Sequence, residues 1–208
     1  EITEGLGTRW EAALNSYKPF ACGIVIHPTI DGCRQIRAEI GEAVRDIASV
    51  EIKAHPLVLE LTGKREPKTG LEGKFSVFHA AAIALLRGDG SPSAFSDAAV
   101  RDPAVVDLRG RVRVTTDPAI HEASAEITIV FKDGRRIFRR VEQAIGSVER
   151  PLSDADLDEK FRGQAVPIIG AEACNRLIEL ARRLPTLKEA ADIARAATPR
   201  AALSPATA

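Results

Sequence analysis

The chain has 208 residues, 45% of them hydrophobic and 28% charged, a composition typical of globular proteins and long enough for one domain with an appendage. Its 29 basic and 29 acidic side chains cancel, so no overall field would attract nucleic acid or an anionic membrane. The apolar runs are too short for a membrane span and no signal peptide begins the sequence, which predicts a cytoplasmic protein.

Cysteine and methionine usage adds two expectations. The three cysteines, Cys22, Cys33 and Cys174, have neither CxxC spacing nor an even count, so we expect neither a disulfide framework nor a zinc site. The chain begins with Glu1 and contains no methionine, so we expect it to be a piece of a longer polypeptide.

The first stretch whose residues could form a functional site runs from Tyr17 to Pro28. It places Lys18 and His27 around an apolar loop that leads into a helix, because Pro28 suits a first helical turn and Asp31 complements the positive end of the dipole. Unpaired amides and Lys18 could hold a substrate carboxylate while His27 handles a proton. The alternative is a proline-bounded strand with an exposed lysine and a capping histidine.

A helix and a strand follow this stretch. From Pro28, apolar residues recur every three or four positions, which predicts an amphipathic helix of about 20 residues. Alternation after it predicts a half-buried strand, whose inward side chains are Val50, Ile52 and Ala54.

The middle of the chain combines loops and helices. Residues 62–73 are rich in Gly, Lys, Pro and Thr, which predicts a mobile loop. Ser76 can then cap an alanine-rich helix that ends near Gly88. A further helical stretch is predicted over residues 97–108, with Pro103 restarting it.

Three strands are predicted next, over residues 111–114, 125–131 and 136–141, and an Asp-Gly turn joins the last two. The order of elements predicts the α+β class, with a four-stranded, mainly antiparallel sheet that has helices packed on one face. Capping boxes that begin at Ser153 and Thr186 then predict C-terminal helices. Arginines between residues 135 and 140 are interpreted as a solvated strand face, not a nucleic-acid patch.

Several short motifs, in their order and spacing, resemble the MmgE/PrpD family over nearly the whole chain. They are Tyr17-Lys18-Pro19-Phe20 with Cys22 and His27-Pro28, then His55-Pro56-Leu57, Lys74-Phe75-Ser76 with Ala80 to Leu86, and Pro151-Leu152-Ser153-Asp154 with Lys160-Phe161. The resemblance implies a smaller α+β lid domain on a large all-helical domain, with the active site in the cleft between them. Residues 1–165 would be the lid, and residues 166–208 a helical segment that packs on a missing N-terminal helical domain.

The resemblance also implies an activity. Members are dehydratases, decarboxylases and epimerases of small polycarboxylates, and they use no metal or organic cofactor. The expected reaction is therefore a lyase or isomerase step that removes a proton next to a carboxylate of a di- or tricarboxylate. The expected partners are this substrate, the helical domain and a second copy in a homodimer, with neither nucleic acid nor a membrane.

Individual roles follow from the same resemblance. Lys18 matches the active-site lysine and would stabilise charge on the substrate carboxylate, with His27 or His79 as acid or base. The predicted substrate-binding residues are Lys18, Thr29, Lys74 and Ser76. Decarboxylating members look to carry a histidine five residues after the lysine, where this chain has Gly23, so dehydration or epimerisation is favoured.

Two other hypotheses remain open at this point. The chain alone could be a non-catalytic binding or assembly module that lacks the helical catalytic half, exposing apolar surface that would tend to associate. It could also be a small-ligand regulatory domain of the α+β kind, for which Lys18 and His27 would be dispensable.

Overall fold

The computed structural model describes residues 3–199, which form two compact units that meet in sequence between Leu152 and Ser153. The domain boundary predicted between residues 165 and 166 falls inside a helix of the second unit, Asp154–Arg182. None of the helices within residues 3–199 combines the length and the apolar character that crossing a membrane requires.

A four-stranded sheet organises the first unit. Its strands are β1 (Ile47–Ala54), β2 (Val112–Thr116), β3 (Ala125–Phe131) and β4 (Arg136–Val141). They lie in the order β2-β1-β3-β4, with β1 parallel to β2 and the other two pairs antiparallel. The α+β class and the mainly antiparallel sheet are thereby confirmed.

The helices of the first unit accompany this sheet. They are α1 (His27–Ile40), α2 (Leu57–Thr62), α3 (Gly70–Gly73), α4 (Val77–Arg87), α5 (Asp97–Arg101) and α6 (Pro103–Gly110). The helix α1 contacts β3, β4 and α4, and α4 also contacts β2. At Gly32 a Cβ would lie 2.6 Å from Ile127 Cδ1, so α1 lies close against β3 only because this position has no side chain.

Two predicted elements differ from the structure. The helix predicted to run for about 20 residues ends at Ile40, because Gly41 has φ 54° and a 3₁₀ turn replaces the helix over Gly41–Asp46. Apolar periodicity continues through this turn since it faces the same core. The stretch predicted as a mobile loop contains α3, which begins where Thr69 Oγ1 accepts a hydrogen bond from the Glu72 amide at 3.3 Å.

The second unit consists of α7 (Asp154–Arg182) and α8 (Ala191–Ala197). The predicted capping box of Ser153 and Asp156 is present. Within α7, Gly170 has non-helical torsion angles, and Arg182 pairs with Asp158 at 2.6 Å across it, so the two parts of α7 lie antiparallel.

The second predicted capping box is wrong. The helix α8 starts at Ala191, and its N-cap, Ala190, makes no side-chain hydrogen bond. Thr186 belongs to a preceding 3₁₀ turn, and its hydroxyl donates to Arg183 O at 2.9 Å, so the hydroxyl is used before the helix begins.

Candidate functional site

The loop that carries Lys18 is held in place at both ends by main-chain hydrogen bonds. The Tyr17 amide donates to Gly146 O at 2.8 Å, and the Ala21 amide donates to Gly90 O at 2.9 Å. Between them the Phe20 ring is buried in the core, whereas Lys18 is exposed. The chain therefore presents Lys18 to solvent from an anchored backbone.

Lys18 and Lys74 both lie near Cys22. The Gly23 amide donates to Lys74 O at 3.0 Å, which joins the two stretches of chain. Both ammonium groups act on the Cys22 thiol: burial raises the pKa of Cys22 to about 12, and the two lysines oppose that rise. We call Lys18 and Lys74 the cationic cluster.

The charge of this cluster is not neutralised within the described chain. Among residues 3–199, no carboxylate lies within ion-pair distance of either the Lys18 or the Lys74 ammonium group. By contrast, Lys64 lies 2.8 Å from Glu72, and Lys53 lies 2.7 Å from Asp117. Two cations that lie near the same thiol, each without a carboxylate partner among these residues, form a surface suited to an anion with more than one carboxylate.

His27 is the first residue of α1 and lines a cleft next to the lysine loop. Its side chain is 2% exposed, and its ring meets the edge of the Phe20 ring at a centroid distance of 5.3 Å. The cleft has a volume of about 440 Å³ and is lined by residues from the stretches 16–28, 57–61, 122–123 and 143–149. Of the predicted site residues, His27 is the one that contributes to this lining.

The walls of the cleft are mainly apolar. Its exposed apolar residues are Tyr17, Ile24, Leu61 and Val148. Its ionisable lining residues, besides Tyr17 and His27, are Glu122 and Glu149. A polycarboxylate would be repelled by these two carboxylates, so the cationic cluster, and not the middle of the cleft, is the place where its charge is complemented.

Ser76 and His79 lie in the interior, at the start of α4. Ser76 Oγ accepts a hydrogen bond from the His79 amide at 3.1 Å, which caps the helix. The His79 ring is 0% exposed, and its Nε2 lies 2.8 Å from Ala94 O. Burial lowers the pKa of His79, so the ring is held neutral with its proton on Nε2, and Nδ1 has no hydrogen-bond partner among the described residues.

Thr29 is buried in the first turn of α1. Its side chain is 0% exposed, and its Oγ1 has no hydrogen-bond partner within residues 3–199. A buried hydroxyl without a partner is costly and uncommon. The predicted roles of Thr29, Ser76 and His79 stay predictions.

The sequence reasoning missed one ion pair beside the cleft. Asp31, interpreted only as a partner of the helix dipole, has a side chain that is 9% exposed and lies 2.7 Å from Arg150 Nη1. The available signal was a carboxylate on the apolar face of a predicted helix, one turn after His27. Its partner could not be found in this way, because Arg150 is 119 residues further along the chain.

Position 23 has no room for a side chain. A Cβ built on Gly23 would lie 2.9 Å from Thr62 Cγ2 and 3.7 Å from Lys74 O. Gly23 has φ −58°, so packing and not backbone conformation imposes this limit. No group of three or more His, Cys, Asp or Glu residues that could hold a metal ion occurs in the described part of the chain.

Comparisons with known proteins identify relatives of this chain. The family model described as MmgE/PrpD C-terminal domain matches residues 20–186. The human cis-aconitate decarboxylase is 27% identical over 127 residues, which are 59% of this chain and 26% of that protein. The mouse cis-aconitate decarboxylase is 23% identical over 189 residues, which are 86% of this chain and 38% of that protein. The chain thus spans less than two fifths of the length of these relatives.

Proposed function

This chain belongs to the MmgE/PrpD family, and we propose that it is the C-terminal portion of a cofactor-independent lyase or isomerase that acts on a small di- or tricarboxylate. The proposed step removes a proton from the carbon next to a carboxylate. The observation that carries the proposal is the cationic cluster, in which Lys18 and Lys74 both lie near Cys22 and neither has a carboxylate partner among the described residues.

The cluster fits the charge that develops in this reaction. When the proton leaves, negative charge accumulates on the neighbouring carboxylate, and ammonium groups already in position stabilise it without reorganisation. Two cations could hold two carboxylates of one substrate, or both oxygens of one carboxylate. Lys18 would contact the carboxylate next to the reacting carbon, and Lys74 a second carboxylate.

His27 is the better candidate for the proton-transfer group. His27 is one of the residues that line the cleft beside the lysine loop, and its ring contacts Phe20. The His79 ring is enclosed, its Nε2 is bonded to Ala94 O, and its pKa is lowered. A base must reach the proton that it removes, and the position of His27 supports that reach better.

The structure around Gly23 bears on the reaction branch. The resemblance implies that decarboxylating members carry a histidine at this position, and here Thr62 occupies the space that its Cβ would need. This supports a dehydratase or an epimerase over a decarboxylase, although both named relatives are decarboxylases. Low identity to those relatives is compatible with a different reaction on the same substrate class.

The family resemblance implies that the remaining residues of the site come from a helical domain, and this chain spans less than two fifths of the length of the named relatives. The chain alone would therefore bind carboxylates weakly and turn none over, which is the second hypothesis raised by the sequence. The exposed apolar residues of the cleft wall support contact with such a helical domain. Assembly as a homodimer also stays a proposal.

The test of this function follows proton abstraction directly. The complete polypeptide is incubated in D₂O with a panel of di- and tricarboxylates, and incorporation of deuterium next to a carboxylate is followed by proton NMR. We expect incorporation with at least one member of the panel. Replacing Lys18 by Met should slow it by roughly a factor of 100 to 1,000, as for loss of one preorganised electrostatic contact.

A matched control is Lys132→Met. Lys132 lies on the turn between β3 and β4, with its ammonium group 3.0 Å from Arg45 O, away from the cluster. This variant should exchange deuterium at the rate of the unmodified protein. Equal rates in the Lys18 and Lys132 variants would remove Lys18 from the reaction.

A further inference from the structure

The loop of residues 143–150, which we call the support loop, contacts both the helix α1, which carries His27, and the loop that carries Lys18. Residues 143–149 line the cleft. The support loop follows β4 and closes on itself, because the Gly146 amide donates to Arg150 O at 2.7 Å. Its position therefore determines the shape of one cleft wall.

One carboxylate ties this loop to α1. Asp31 Oδ2 accepts hydrogen bonds from Arg150 Nη1 at 2.7 Å and from the Ile145 amide at 3.0 Å. Asp31 Oδ1 accepts a third bond from Gln35 Nε2 at 3.1 Å, within α1. Arg150 Nη1 also donates to Gln143 O at 2.6 Å, so this guanidinium joins the two ends of the loop.

The support loop in turn holds the lysine loop. The Tyr17 amide donates to Gly146 O at 2.8 Å, immediately before Lys18. The contact is close: Gly146 has φ 91°, and a Cβ there would clash with Tyr17 O and lie 2.9 Å from Pro19 Cδ. The residue on each side of Lys18 thus touches Gly146.

Asp31 lies one helical turn after His27 on α1, so the same helix carries the proposed proton-transfer group and the anchor of the loop that holds Lys18. We propose that Asp31 and Arg150 are positioning residues, which set the place of Lys18 relative to His27 through the support loop. This inference rests on the proposed function for its catalytic meaning, and on the hydrogen bonds alone for its geometry.

The alternative is that the pair only stabilises the fold. A buried carboxylate with three donors is costly to disturb, so loss of stability alone cannot distinguish the two roles. The same helix offers a more exposed ion pair for comparison: Glu39 lies 2.7 Å from Arg139 of β4, and neither residue belongs to the support loop. Glu39→Gln therefore reports what a lost ion pair on α1 does without moving that loop.

The first experiment measures amide hydrogen exchange by NMR in the unmodified chain, Asp31→Asn and Glu39→Gln. The informative amide is that of Tyr17, which Asp31 does not touch. We expect its exchange to become about tenfold faster in Asp31→Asn, because the support loop loosens, and to stay unchanged in Glu39→Gln. Unchanged Tyr17 exchange in Asp31→Asn, or equal acceleration in both variants, would overturn the proposal.

Arg150 provides a second pair of variants that keep the buried carboxylate intact. Arg150 has a side chain that is 44% exposed, so its replacement leaves no cavity in the core. Arg150→Met should accelerate Tyr17 exchange, and Arg150→Lys, which keeps the charge beside Asp31, should restore part of the protection. Identical exchange in the Met and Lys variants would argue against a charge-dependent support.

The second experiment connects this geometry to the site by titrating citrate, a tricarboxylate probe, into Lys18→Met, Asp31→Asn and the double variant. If Asp31 acts through Lys18, the double variant binds citrate no more weakly than Lys18→Met alone. If the factors by which the two single substitutions weaken citrate binding multiply in the double variant, Asp31 does not act through Lys18. An unmodified chain that binds no citrate counts against the proposed function, and the exchange experiment still decides the positioning.

Discussion

Gly23 and Thr62 pack so closely that Thr62 Cγ2 lies 2.9 Å from the place where a Cβ of residue 23 would be. The contact is an edge of the candidate site, because the Gly23 amide is also bonded to Lys74 O. Any side chain at position 23 must displace the threonine or shift the Gly23 backbone, whose amide is bonded to Lys74 O.

We therefore expect Gly23→Ala to lower the free energy of unfolding by about 1–3 kcal/mol, the usual cost of overpacking. Thr62→Ser removes the Cγ2 atom and keeps the hydroxyl that donates to Val58 O. Combining the two changes should recover most of the loss, which urea denaturation of both single variants and the double variant would measure. No recovery in the double variant would place the strain elsewhere.

The cationic cluster should set the affinity for polycarboxylates. We expect Lys18→Met and Lys74→Met each to weaken citrate binding by about fivefold, the loss of roughly 1 kcal/mol for a solvent-exposed ion pair. Binding should also weaken with added salt, because exposed charges are screened. Isothermal titration at two salt concentrations measures both effects.

Lys132→Met is the control for the cluster, since this lysine is exposed and has the same charge. Its citrate affinity should match that of the unmodified chain. Equal weakening by all three substitutions would mean that citrate responds to net charge and not to a site.

The buried ring of His79 should make stability depend on pH. Burial lowers its pKa in the folded state below the ordinary value of 6.5, so the unfolded chain binds the proton more readily. The contribution is fully present above pH 6.5 and is lost as pH falls from there towards the folded-state pKa. Over that window the slope from this group approaches about 1.4 kcal/mol per pH unit.

Urea unfolding of the unmodified chain and of His79→Gln, between pH 7.5 and pH 5, measures this slope. The difference between the two free energies of unfolding should shrink as the pH falls. His121→Gln is the control, because His121 is exposed and lies outside α4. A difference that is constant with pH would show that His79 does not titrate between the two states.

Removal of the Thr29 hydroxyl should affect the stability of the fold and the affinity for a carboxylate differently. Thr29→Val removes a buried hydroxyl that has no partner among residues 3–199, so we expect the free energy of unfolding to rise by about 1 kcal/mol. Thr62→Val is the contrasting variant, because it removes a hydroxyl that donates to Val58 O and should lower stability. Thermal unfolding measures both changes, and we expect the midpoint temperature to rise for Thr29→Val and to fall for Thr62→Val.

The same Thr29 variant tests the predicted binding role. If the hydroxyl contacts the substrate, Thr29→Val gains stability and loses citrate affinity. A gain in stability with unchanged affinity would assign the unpaired hydroxyl to the fold alone.

Local patterns predicted most of the elements because each depends on neighbouring residues. The Ser76 cap, the restart at Pro103 and the Asp133-Gly134 hairpin all involve contacts within four positions, and all are present. The end of α1 was missed because the apolar periodicity continues past Gly41 into a 3₁₀ turn that faces the same core. Apolar periodicity shows which side of a segment is buried, but it does not distinguish an α-helix from a 3₁₀ turn that buries the same side.

The sequence by itself determined the family, the α+β class, and the presence of a lysine and a histidine around a helix start. Only the tertiary structure decided which segments of the candidate site meet. It bonded the Gly23 amide to Lys74 O, enclosed His79, and joined Asp31 to Arg150 across 119 positions. The physical reason is that sequence patterns report local conformation and burial, whereas a site consists of contacts between segments that only the packed core brings together.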